Sequence, residues 1–176
     1  MSRRASSASR YPDEASSPVR RAAAVFAADD WRLLIHLPAE VMIAAISAQV
    51  DGSRHTVTEG LAGLDAIAAG RYSDSDLVRA VVAAIYSEPD EDRAMLPDPP
   101  DQTAERARVL ADCRRATGIL RAAADPADAA AYRHWVQHVA VRVCQAARSG
   151  GVLALGAERI TPAEQAFLDD VGAAFG

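Results

Sequence analysis

The chain has 176 residues, half of them apolar, with 19 basic and 24 acidic side chains and a net charge of −5, enough material for a globular protein with a buried core. All 19 basic side chains are Arg, which excludes a Walker-type phosphate loop, a Schiff-base lysine and a kinase-type phosphate lysine. Residues 1–21 hold five arginines (Arg3, Arg4, Arg10, Arg20, Arg21) against Asp13 and Glu14, so that stretch is +3 and the remainder −8; such an acidic body repels nucleic-acid phosphates.

Residues 1–17 contain Ser, Arg, Pro and acid with almost nothing to bury, and read as a disordered basic arm, able to touch an anionic membrane surface peripherally. Ser17 and Pro18 then suit a cap and first helical position. Val19, Ala22, Ala23, Phe26, Ala27, Asp30, Leu33 and Leu34 carry one helical stripe toward His36. Leu37-Pro38 punctuates the pattern. Pro38 opens a second helix, almost uniformly apolar through Val50 and therefore expected to be the most central, which ends at Asp51-Gly52.

Thr56-Val57-Thr58-Glu59 has the spacing of a capping box and starts a third helix to about Ala69, with Gly70 as its left-handed C-terminal residue. Ser73 is placed to cap a fourth helix carrying Leu77, Val78, Val81, Val82 and Ile85. Residues 88–101 (EPDEDRAMLPDPPD), with four prolines and six acids against Arg93, read as a linker or long loop between helical halves 18–87 and 102–176. The halves are free to pack as one domain. A fifth helix from about Gln102 to Ala124 is patterned on Ala107, Leu110, Ala111, Ile119 and Leu120. After Asp125-Pro126, a sixth runs from Ala127 to about Arg148 with Trp135, Val136, Val139, Ala140, Val143, Cys144 and Ala147 inward. Ser149–Ile160 is a Gly-bearing connector with an apolar clip of Val152, Leu153 and Leu155. Thr161-Pro162-Ala163-Glu164 is a second capping box, opening a helix on Ala166, Phe167 and Val171.

The expected fold is therefore an all-α bundle of about seven helices without strands. No apolar run approaches the length of a membrane span, and residues 1–21 lack the apolar core of a secretory signal. Cys113 and Cys144 match neither a CxxC pair nor a zinc-finger spacing. These features point to a cytoplasmic protein with reduced thiols.

Two residue groups have the spacing of metal ligands. His134 and His138 are one helical turn apart and share a face, the arrangement of a two-ligand zinc clamp, but that face points away from the Trp135–Ala147 stripe and has no Glu between the histidines. Asp51 and Glu59 flank the 51–55 turn. An EF-hand beginning at Asp51 fails, because Thr56 occupies the glycine position and Ala62 the bidentate Glu position. No Gly-x-Ser-x-Gly elbow is present for nucleophilic catalysis, and Gly150-Gly151 follows a helix rather than a strand, unlike a dinucleotide fingerprint.

Val41–Ile67 and Val139–Val171 share a plan of apolar helix, Gly-bearing break, Thr-x-x-Glu cap and shorter helix. The first of these lies within Leu37–Tyr86, which resembles the tellurite-resistance TerB-like helical family through Ala44-Ala45-Ile46-Ser47-Ala48-Gln49-Val50-Asp51-Gly52 and Thr56-Val57-Thr58-Glu59. The resemblance covers under a third of the chain. It implies an all-helical, stress-associated protein with metal held by acids near the helix breaks. Only Asp51 and Glu59 match that acidic pattern; Ser53, Arg54 and His55 stand where further acids would strengthen a cation site.

The function expected from these features is a non-catalytic adaptor that docks a protein partner or a second copy of itself, without a cofactor. The alternatives are a divalent-metal sensor or buffer using Asp51 and Glu59 or His134 and His138, and an enzyme of unknown class. An adaptor calls for an apolar surface lined by helices. A metal protein calls for convergent acids or histidines, and an enzyme for a pocket holding perturbed titratable groups.

Overall fold

A computed structural model describes residues 17–48, 56–87, 101–146 and 161–176, and among these residues the chain forms seven α-helices and no strand. They are α1 (Pro18–Ala23), α2 (Ala28–Ser47), α3 (Thr56–Ala69), α4 (Asp76–Ile85), α5 (Gln102–Ala123), α6 (Pro126–Ala146) and α7 (Pro162–Phe175). The all-α bundle expected from the periodicity is what forms. No helix among the described residues is long and apolar enough to cross a membrane. Asp51, the 51–55 turn, residues 1–16, 88–100 and the 149–160 connector lie outside the described residues.

Chain order and packing order differ. α6 packs against α2, α3, α4, α5 and α7, so it, and not the helix expected from Pro38 onward, is the hub. Its inward residues Tyr132, Trp135, Val136, Val139, Ala140, Val143 and Cys144 are all buried, meeting Leu34, Leu37 and Val41 of α2, Val109 and Leu120 of α5, and Phe167 and Phe175 of α7 in one core.

The expected break at Leu37-Pro38 does not occur. α2 runs straight through Pro38 from Ala28 to Ser47, and the helix expected over residues 18–36 is instead interrupted at Ala24–Ala27, where Phe26 stacks on Trp31 with ring centroids 5.9 Å apart. A proline inside a helix removes the N–H that would bond the carbonyl four residues back, here that of Leu34. The hydroxyl of Tyr132, fully buried on α6, donates to that carbonyl at 2.7 Å. A long-range hydrogen bond thus replaces the missing local one.

Other termini follow local chemistry. Thr161 and Glu164 close the expected capping box: Thr161 N–H donates to Glu164 Oε2 at 2.7 Å, and Glu164 N–H donates to the Thr161 hydroxyl at 3.2 Å. At α4 the cap is Ser75 rather than Ser73; its hydroxyl accepts from Val78 N–H and donates to Asp128 at 2.6 Å, while Ser73 accepts from Ser75 N–H. Tying the cap to α6 favours the later serine. On α5 the buried stripe is Val109, Leu110, Cys113, Ala116 and Leu120, and the expected core positions Ala107 and Ala111 are exposed, as is Ala166 on α7. Alanine satisfies either face, so periodicity built on it misplaces the stripe by part of a turn.

Candidate functional site

α3 is apolar on two faces, and the outer one carries most of its large apolar side chains. Its inner face carries Glu59, Gly63, Ala66 and Ile67, all buried. A Cβ on Gly63 would lie 2.5 Å from Met42 Cγ and 3.0 Å from Val143 Cγ2, so only glycine lets α3 seat this closely between α2 and α6. Near its C-terminal end, Trp135 Nε1 donates to the Ala66 carbonyl at 3.1 Å. Gly70 opens a short 3-10 turn here, with no left-handed backbone; a Cβ would meet the Trp135 ring at 2.8 Å. The glycine expected as a left-handed cap is there for a close approach.

Ile67 aside, the large apolar side chains point outward. Val57 is 70 % exposed, Leu61 60 % and Leu64 43 %. They are spaced four and then three apart, and Ala68, half-buried, follows four further on. That is the alternation of a helix–helix seam, and at 100° per residue the four span about 60° of the helix circumference. Asp65 is the one exposed charged side chain on the helix. Burial ordinarily takes Leu and Val inside and leaves Ala and Gly outside, and a helix apolar all round is normally covered on every side.

The metal-ligand candidates fall elsewhere. His134 and His138 are exposed on α6, on the side away from its core stripe. The His138 imidazole is held below its ordinary pKa by partial burial, then by the Arg142 guanidinium and His134. A cation one turn beyond the pair repels a divalent ion for the same reason that it repels an imidazolium. Glu59 is 2 % exposed on the inner face of α3. Asp51 lies outside the described residues. Among the described residues no three His, Cys, Asp or Glu side chains converge on a point that could hold a metal.

Among the described residues, the buried groups whose pKa values rise most lie away from the cavity beside α1. Burial pushes the Cys113 thiol up to about 12, helped by Asp112 and Glu40, and raises the Tyr132 phenol well above its usual value. Both are core groups, and both keep their protons at neutral pH. A cavity of about 330 Å³ lies between α1 and the α4, α5 and α6 ends, walled by Val25, Phe26, Leu77 and Asp128. Asp128 there accepts the Ser75 hydroxyl, and Arg79 pairs with Asp76. Of the polar groups of this cavity, Asp128, Asp76 and Arg79 are engaged at the start of α4, and Asp125 accepts from Ala127 N–H at the start of α6.

In comparisons with known proteins, no family model, no curated protein and no solved structure matches the chain. The outward stripe of α3 is not among the features expected from the sequence. Its signal, the 4-3-4 spacing of Val57, Leu61, Leu64 and Ala68, is present in the sequence, but so is the apolar inner pattern that competes with it.

Proposed function

We propose that the protein is a non-catalytic, stress-associated interaction module of TerB-like type, and that α3 is its docking element. The observation that carries this reading is the outer face of α3, where Val57, Leu61 and Leu64 face solvent while the inner face buries Gly63, Ala66 and one large apolar side chain, Ile67. Folding alone gives no reason to place the larger apolar side chains in water, where each loses the roughly 1.5–3 kcal/mol that full burial supplies. Association supplies the reason, because a second helix laid along the stripe removes that surface from water. The resemblance of Leu37–Tyr86 to the TerB-like family supports the stress association.

The reading is tested by placing a benzophenone photo-crosslinking side chain at position 61 and irradiating the protein in an extract of its own cells. A covalent adduct to protein is expected from position 61, and none from position 122, an exposed alanine on α5. Adduct formation that is absent, or equal at the two positions, would overturn it.

A further inference from the structure

We infer that the pocket between the end of α5 and the start of α6, beside the end of α7, binds a small carboxylate with a compact apolar body. The site is separate from the outer face of α3, and neither reading depends on the other.

The pocket holds about 160 Å³, with Leu120 of α5 and Pro126 and Ala129 of α6 among its walls. An apolar cavity of about 150 Å³ takes up benzene, so this volume suits a six-membered ring or a short branched chain. The charged groups of the pocket have one sign. Arg121 and Arg133 line it together with no carboxylate, whereas Asp76, Asp125 and Asp128 line the cavity beside α1. Asp125 and Asp128, the two acids between these arginines in the chain, are engaged by Ala127 N–H and the Ser75 hydroxyl. Arg32, Arg79, Arg106, Arg108 and Arg115 each pair with a carboxylate. Arg121 and Arg133 pair with none among the described residues.

Arg133 is held in place without being neutralised. Half-buried, it donates through Nε to the Ala129 carbonyl at 3.3 Å and through Nη1 to the Phe175 carbonyl at 2.9 Å. Its Nη2 has no acceptor among the described residues. The carbonyl end of α7 offsets only about half an elementary charge. A carboxylate supplies the rest, because its two oxygens fit the guanidinium fork. Thr117 also lines the pocket, but its hydroxyl hydrogen goes to the Cys113 or Ala174 carbonyl, at 3.1 and 3.3 Å, which leaves recognition of the anion to the arginines. A phosphate would turn further hydrated oxygens toward Leu120, Pro126 and Ala129, where nothing replaces their water.

Benzoate is the probe. Titrated into the full chain at fixed ionic strength, it should shift the amide resonances of Leu120, Arg121 and Ala129, with a dissociation constant on the order of 1 mM. Arg121→Gln should weaken binding at least tenfold without altering the fold, because Arg121 is exposed and makes no hydrogen bond among the described residues. Arg114→Gln, exposed two turns earlier on α5, should leave binding unchanged. Benzamide carries the ring without the charge, and inorganic phosphate the charge without the ring; each should bind at least tenfold more weakly than benzoate. No shift of these amides at benzoate concentrations twentyfold above the expected constant would overturn the inference. So would benzamide or phosphate binding as tightly as benzoate, binding that survives Arg121→Gln, or binding weakened equally by Arg114→Gln, which is the mark of nonspecific attraction between anions and arginines.

Discussion

Pro38 is accommodated by a residue 94 positions away in the chain, and the arrangement has a measurable consequence. Its ring leaves the Leu34 carbonyl without the usual helical donor, and the buried Tyr132 hydroxyl takes that place at 2.7 Å. Tyr132→Phe should therefore leave a buried acceptor unsatisfied and cost about 1–3 kcal/mol in urea unfolding. Pro38→Ala restores an N–H aimed at the same carbonyl. In the Pro38→Ala background, Tyr132→Phe should cost less by about 1 kcal/mol or more, a coupling read from the four midpoints of a double-mutant cycle. Equal costs in the two backgrounds would mean that the hydroxyl serves packing and not the carbonyl freed by proline. The buried thiol of Cys113, pushed up to about 12 chiefly by desolvation, belongs to the same neighbourhood and acts as a small apolar side chain.

At the scale of the element, glycines separate into two kinds that the sequence presents identically. Gly70 follows α3, and a Cβ there would lie 2.8 Å from a Trp135 ring whose Nε1 is already bonded to Ala66. Gly70→Ala should destabilise by about 1–3 kcal/mol, because that ring has no free direction to yield, and should shift tryptophan fluorescence. Gly118, in the middle of α5, has nothing within 4 Å of its Cβ position, and Gly118→Ala should stabilise by about 0.4–1 kcal/mol through a less disordered unfolded chain. Thermal unfolding of the two variants checks both signs. Elements governed by their own residues were legible: α3 ends at Ala69 as expected, and Thr161-Pro162-Ala163-Glu164 caps α7 as its spacing requires, while the capping box expected at Thr56 to Glu59 falls on a cap outside the described residues. Elements governed by distant partners were not. The continuity of α2 depends on Tyr132, and the choice of Ser75 over Ser73 depends on Asp128. The α1–α2 break sits in an Ala-rich run without local punctuation, and its accompanying contact is the Phe26–Trp31 stack.

For the whole molecule, legibility ends where one helix has two apolar faces. Periodicity shows that α3 is amphipathic twice over, and only the position of α6 decides that Gly63 and Ala66 go inward and Val57, Leu61 and Leu64 outward. The histidine pair is the converse case: its outward direction was readable from spacing, while the neighbouring Arg142 acquires meaning only through its effect on His138. An apolar stripe whose single exposed flanking charge is Asp65 offers a partner little to screen, so the photo-adduct from position 61 should persist when salt is raised from about 0.01 M to about 0.15 M, which shortens the screening length from about 30 Å to about 8 Å. An adduct lost at the higher salt would place the contact on charged surfaces and remove α3 as its site.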